Sequence, residues 1–211
     1  MILQSLQIIA AIVALHAAGS SSLDEVGEPS SGRYLCERLA TGTLEGWEIE
    51  RSAHIEGLAP ALVALSEKLI SGRADFEHVY FVLDALRARG DLGNDELKWV
   101  RFRLRPLLGR NDGPLGDVVK DRCLSILSKY PCEENETILI EFLSDKKEGD
   151  NEFGYSAVAA MGLRRVGTVR SVGPLRKYAE KLRSIPGVNP DGSTFVELFE
   201  LIKKLEAQAG E

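Results

Sequence analysis

Residues 156–167 have the sequence SAVAAMGLRRVG, and VRSVGPL follows at residues 169–175. In the first segment Ala157, Ala160 and Met161 recur at the i, i+3, i+4 spacing of one helix face. A glycine then interrupts the pattern, and a second helical pattern begins just beyond it. The two segments predict a pair of helices joined by a short turn. We expect the small side chains of Ala157 and Ala160 to let these helices approach closely.

These two segments resemble a HEAT repeat of the short bacterial kind. In that family an Ala-rich first helix ends in Leu-Gly-x-Ile-Gly, and the second helix opens with Ala-Val-x-x-Leu. Here Met161 takes the place of the usual Leu, and Val166 takes the place of Ile. The resemblance covers about residues 58–185. It implies a short right-handed α-solenoid of stacked antiparallel helix pairs, HEAT/armadillo-like, with about three to four repeats.

Outward from this pair, apolar residues recur at helical spacing over nearly the whole chain from residue 58 onward. The stripes run from Leu58 to Leu69, Phe76 to Leu86, Leu97 to Leu108, Val119 to Tyr130, Leu139 to Leu143, Phe153 to Met161, Val172 to Leu182 and Phe195 to Leu205. Thr194 and Glu197, at the start of the last stripe, have the spacing of a capping box. The pattern predicts an all-α fold.

Two further observations bear on this prediction. Residues 100–105 alternate with period two, as in a strand, but the longer window favours a helix that Pro106 bends. Ala85, Ile126 and Ala160 occupy equivalent places in three helices, at intervals of 41 and 34 residues. Intervals of this length are typical of helical repeat proteins.

The amino-terminal segment differs from the rest, because no charged side chain occurs from Ile2 to Leu23. An apolar run at residues 8–15, followed by small residues, predicts a signal peptide over residues 1–19. A flexible Ser/Gly linker over 20–33 and a repeat domain over 34–211 would follow. We therefore expect an exported protein, periplasmic or secreted. Two alternatives stay open: a membrane anchor formed by residues 2–23, or a helix packed on the domain.

The composition and motifs exclude more functions than they suggest. Lys and Arg number 26 against 32 Asp and Glu, which gives a net charge of −6 and argues against nucleic acid as a partner. His54 and His78 lack the spacing of a metal site, and no catalytic or phosphate-binding motif occurs. We expect no enzymatic activity, no cofactor and no metal.

Three shorter patterns carry hypotheses of their own. Cys123 and Cys132 are a candidate disulfide, although Cys123 also fits an apolar helix stripe as a small hydrophobic residue. Residues 89–91 have the sequence RGD of adhesion motifs, but the glycine more simply ends a helix. Asn135 begins a glycosylation sequon, which is meaningful only in an exported eukaryotic protein.

Charge is unevenly distributed along the chain. Residues 133–152 sum to −6, whereas residues 164–183 sum to +6 and residues 98–110 contain five basic side chains and no acidic one. Such runs are commonly solvated helix faces. The alternative is that stacked helices align them as a patch for an acidic protein segment or an anionic glycan or lipid. The candidate partner-binding residues are Lys98, Arg101, Arg103, Arg105, Arg164, Arg165 and Arg170.

Together these patterns favour an exported HEAT-like repeat protein that acts as a protein-binding or scaffolding module without catalysis. We expect its partner to be a protein, and an acidic protein is one candidate. A membrane contact is expected only if the amino-terminal segment is uncleaved. The resemblance implies an alternative, a HEAT-like lyase or accessory enzyme acting on a modified protein. A structural component of the cell envelope is a third hypothesis.

Overall fold

The computed structural model describes the greater part of the chain from residue 34 onward. The described residues are 34–35, 37–38, 41, 43, 48–49, 55, 58–72, 76–110, 113–144, 154–185 and 192–208. Within them the chain forms helices and short turns and no strand. The predicted all-α class is confirmed.

Eight α-helices account for the apolar stripes of the sequence. They are α1 Leu58–Ser71, α2 Phe76–Ala88, α3 Asn94–Leu104, α4 Gly113–Leu127, α5 Glu133–Leu143, α6 Gly154–Val166, α7 Val172–Arg183 and α8 Ser193–Ala207. Short 3₁₀ turns occupy Arg105–Leu107 and Val169–Ser171. The helical prediction for residues 100–105 is confirmed, since α3 runs to Leu104 and Pro106 lies in the turn that follows.

The predicted capping box at the start of α8 is wrong. The N-cap of this helix is Gly192, which has no side chain to accept a hydrogen bond from the first turn. Glu197, the expected second member of the box, instead forms an ion pair with Arg164 of α6. The local pattern assigned Glu197 to the helix cap, but in the structure this side chain pairs with an arginine that is distant in sequence.

The sequence predicts one repeat domain over residues 34–211, and in the structure the contacts cluster into two compact units. The first comprises the chain up to Trp99 together with Gly113–Arg122, and the second comprises Val100–Asp112 and Cys123–Glu211. Helices α3 and α4 each contribute to both units. We describe the units separately.

In the first unit α1 packs against α2. The apolar faces meet as the stripes predict, and the buried side chains include Leu62, Leu65, Val79, Val82, Leu83 and Leu86. Polar contacts add to this core, because the indole nitrogen of Trp99 donates a hydrogen bond of 2.9 Å to Glu67. The guanidinium of Arg122 lies 4.2 Å from the ring centre of Tyr80, in cation–π geometry.

In the second unit α5 packs against both α6 and α7, and α7 packs against α8. A close approach of α6 to its neighbours lies at Gly162. A methyl group at this position would lie 3.0 Å from Ser128 Cβ and 3.1 Å from a methyl carbon of Leu139. This contact joins α6 to α5, whereas the expectation for Ala157 and Ala160 concerns the approach of α6 to α7 and stays a prediction.

A buried carboxylate fixes the turn between α6 and α7 onto α5. Glu136 is only 1% exposed and accepts hydrogen bonds from Thr168 N at 2.7 Å, Thr168 Oγ1 at 2.9 Å and Ser171 Oγ at 2.6 Å. Burial acts to raise the pKa of Glu136, but the donors on Ser171 and Thr168 and the charge of Arg170 outweigh it. Its pKa is lowered as a result.

The lowered pKa of Glu136 predicts a pH-dependent contribution to stability. The contribution is complete above the unfolded glutamate pKa of about 4.3 and is lost as the pH falls through the lower folded pKa. We expect Glu136→Gln to reduce the free energy of unfolding at pH 7 by about 1–3 kcal/mol, because all three donors bond to Oε1 and a neutral amide oxygen accepts hydrogen bonds more weakly than a carboxylate oxygen. Urea unfolding between pH 7 and pH 3 should show this difference shrinking below about pH 4. A difference that stays constant over this range would contradict the assignment.

Candidate functional site

The candidate basic residues do not form one uniform patch. Lys98 belongs to the first unit, and the other six belong to the second. Arg101 faces inward within its unit, because its Nε donates to Asn135 Oδ1 at 2.7 Å and its Nη2 to Cys132 Sγ at 3.2 Å. This arginine therefore holds α3 to the start of α5.

Two more of the candidates are neutralised by ion pairs inside the second unit. Arg164 pairs with Glu197 at 2.6 Å, and Arg170 pairs with Glu133, also at 2.6 Å. In contrast, Arg165 is exposed at the end of α6. Pairing of this kind reduces the charge that these side chains offer to another molecule.

Two of the other candidates, Arg103 and Arg105, are close in sequence to an exposed aromatic ring. Phe102 is 66% exposed at the end of α3, and the guanidinium of Arg103 lies 5.6 Å from its ring centre. Arg105 and Leu108, in and after the adjoining 3₁₀ turn, are also exposed. We call Phe102, Arg103, Arg105 and Leu108 the basic surface.

The helix itself explains part of this arrangement. Basic residues in the last turn of a helix interact favourably with the partial negative charge of its carboxyl end, and α3 carries Arg101 and Arg103 there. The dipole does not account for the exposed phenylalanine, which forgoes the stabilisation that burial of its ring would give. The sequence prediction included the arginines but not Phe102, although this residue stands between two of them in the alternating segment.

A second concave feature lies on the second unit, between α6, α7 and α8. We call it the groove, and its volume is about 400 Å³. One face of α6 lines it with Ala157, Ala160, Met161 and Arg164, while α8 contributes Glu197, Leu198 and Leu201 and α7 contributes Tyr178. Its lining is mainly apolar, with the ion pair of Arg164 and Glu197 as the charged part.

Tyr178 is the unusual residue of the groove. It is 4% exposed, and its hydroxyl oxygen is buried with no hydrogen-bond partner among the residues that the structure describes. Burial raises the pKa of Tyr178 to about 12, so the hydroxyl keeps its proton at neutral pH. An unsatisfied buried hydroxyl costs about 1–3 kcal/mol. The sequence analysis missed this residue, although it lies three positions after Leu175 on the apolar stripe of α7.

The key side chains of two sequence motifs, the RGD segment and the glycosylation sequon, are buried in the structure. Arg89 of the RGD segment is 1% exposed, and its guanidinium donates to both carboxylate oxygens of Asp91, at 2.8 and 2.6 Å, and to the carbonyl of Ile55. The arginine and the aspartate of the motif thus pair with each other. Asn135 of the sequon is buried, and its amide nitrogen donates to the carbonyl of Tyr130 at 2.7 Å. Neither side chain is presented to a partner or a modifying enzyme.

The candidate disulfide is not formed in the structure, where Cys123 and Cys132 are free thiols. Cys123 lies in the core, and burial, only partly opposed by the charge of Arg103, raises its pKa to about 12. It behaves as the small hydrophobic residue of the alternative interpretation. Cys132 is half-buried at the N-cap of α5.

The expectations about metal binding, membrane spans and the amino-terminal segment can be compared only with the described residues. In the described part of the chain, no group of three or more His, Cys, Asp or Glu side chains could hold a metal ion. No helix in that part is both long and apolar enough to cross a lipid bilayer. The predicted signal peptide over 1–19, the anchor over 2–23, the linker over 20–33 and His54 lie outside the described residues.

Comparisons of the chain with protein-family models, with curated proteins and with solved structures give no match.

The cysteines give a direct chemical prediction. Alkylating reagents attack the thiolate, and a thiol with a pKa of about 12 remains protonated at pH 8. We expect iodoacetamide to modify Cys132 but not Cys123 in the native protein, and both in urea. Mass spectrometry of the digested protein distinguishes the two sites. Recovery of a disulfide-linked peptide containing both cysteines from unreduced native protein would contradict the structure.

Proposed function

We propose that this chain is an exported HEAT-like repeat protein that binds an acidic protein partner through the basic surface, without catalysing a reaction. One observation carries the proposal: Phe102 is two-thirds exposed among arginines, in a segment without acidic residues from 97 to 110. Exposed aromatic and arginine side chains are the types enriched at the centres of protein interfaces.

Charge complementarity defines the expected partner. Arg103 and Arg105 would pair with carboxylates of the partner, while Phe102 and Leu108 would lose contact with water on binding. Arginine suits this role because its planar group pairs with carboxylates and also stacks on aromatic rings. A nucleic acid is disfavoured by the net charge of −6 over the whole chain.

The proposed architecture is a right-handed solenoid of three to four helix pairs. It is supported by the HEAT-like sequence of residues 156–175 and by the contacts of α5 with both α6 and α7. Each added pair in such an array buries the apolar face of its neighbour and extends the surface available for binding. Export by a cleaved signal over residues 1–19 rests on the uncharged amino-terminal segment.

Charge reversal tests the proposal in the native host. A photo-crosslinking amino acid at Leu108 captures the partner, and Arg103→Glu combined with Arg105→Glu removes the complementary charge. We expect capture to fall at least tenfold, about 1.4 kcal/mol or more, and to weaken with added salt. The matched control reverses two exposed lysines of α8, Lys203→Glu and Lys204→Glu, and should retain the partner.

Arg105→Glu alone serves as a second variant, because this residue is exposed and its replacement leaves the core intact. It should weaken capture in the same direction. Equal capture by the wild-type protein, the basic-surface variants and the α8 control would contradict the proposal.

A further inference from the structure

The groove has the dimensions of a small-molecule site. Its volume of about 400 Å³ falls within the range of roughly 300–1,000 Å³ that is typical of pockets for drug-sized ligands. Ala157 and Ala160 on one side and Leu198 and Leu201 on the other form apolar walls. A single apolar side chain of a partner protein would occupy only a part of this space.

The polar groups of the groove restrict the charge of its ligand. Arg164 and Glu197 compensate each other at 2.6 Å, and both are about half exposed, which places them at the opening. The groove therefore offers no net charge to a ligand. An uncharged molecule enters without breaking this ion pair, whereas an ion would have to compete with one of its members.

Tyr178 specifies the polar atom of the ligand. Its hydroxyl is protonated and lacks a hydrogen-bond partner among the described residues, so it can donate to an acceptor. The oxygen is closed to water, and a ligand reaches it by displacing a neighbouring side chain. Met161 lines the same groove, is 67% exposed and has a flexible side chain, so part of the lining can adjust to a ligand.

We infer that the groove binds an uncharged, mainly apolar small molecule whose carbonyl or hydroxyl oxygen accepts a hydrogen bond from Tyr178. The site shares no residue with the basic surface. Its test is therefore independent of the proposed protein partner.

Prodan, an uncharged naphthalene dye with one ketone carbonyl, is a suitable probe because its emission shifts to the blue in apolar surroundings. Titration of the full chain should show saturable binding to one site. Tyr178→Phe removes only the hydroxyl and should weaken binding about three- to tenfold, as expected for one neutral hydrogen bond. Ala157→Leu fills the groove and should abolish binding.

Two comparisons separate a hydrogen bond from a change in packing. Tyr80→Phe removes an exposed hydroxyl in the first unit and should bind prodan as the wild-type protein does. Dimethylaminonaphthalene, which lacks the carbonyl, should bind the wild-type protein and Tyr178→Phe equally. Urea unfolding of each variant confirms that it is folded under the conditions of the titration.

Three results would overturn the inference. The first is the absence of saturable prodan binding to the wild-type protein. The second is unchanged binding in Ala157→Leu, which would locate the dye elsewhere. The third is equal affinity of the wild-type protein and Tyr178→Phe for prodan, which would remove the hydroxyl from the site and favour an apolar segment of a protein as the occupant.

Discussion

The Glu136 carboxylate holds the second unit together at the point where its helices change direction. It lies on α5 and accepts three hydrogen bonds from Thr168 and Ser171, at the two ends of the turn that links α6 to α7. A buried charge is tolerated only when its hydrogen-bonding capacity is satisfied. If the turn moved away from α5, this carboxylate would lose its partners, so the network specifies one position for the turn.

The same face of α5 carries the contacts that flank this network. Glu133 pairs with Arg170, and Thr137 Oγ1 accepts a hydrogen bond of 3.3 Å from the same guanidinium. Glu133, Glu136 and Thr137 have the i, i+3, i+4 spacing of one helix stripe, which here is polar. Gly162 allows the neighbouring apolar face to close against Leu139. The positions of α6 and α7 therefore follow from this polar stripe and the apolar contact beside it. These two helices supply five of the eight residues that line the groove.

Much of the fold could be predicted because helical periodicity is a local property. Each apolar stripe became a helix. A bend was expected at Pro106, but α3 ends at Leu104 and Pro106 lies in the 3₁₀ turn that follows, because proline lacks the amide hydrogen that a continuing helix uses. The close contact of Gly162 with α5 was not predicted, since spacing alone does not show which small residue of α6 meets which neighbouring helix. Which of two small residues meets the neighbouring helix depends on the rotation of α6, and packing partners set that rotation.

The candidate site was less predictable, because side-chain partners are distant in sequence. Arg164 and Glu197 are 33 residues apart, and nothing in the local sequence of either indicates the pairing. A count of basic residues therefore overestimated the charge available to a partner. Conversely, Phe102 and Tyr178 have ordinary places in helical patterns. Only the three-dimensional structure shows that the first is exposed and that the hydroxyl of the second has no partner among the described residues.

Native-state hydrogen exchange tests most directly whether the Glu136 network unites α5 to α8. If it does, slow amides in all four helices should open with one common free energy, and Glu136→Ala should lower that value equally in each helix. Loss of protection confined to residues 167–171, with α5 and α8 unchanged, would contradict a network on which the unit depends.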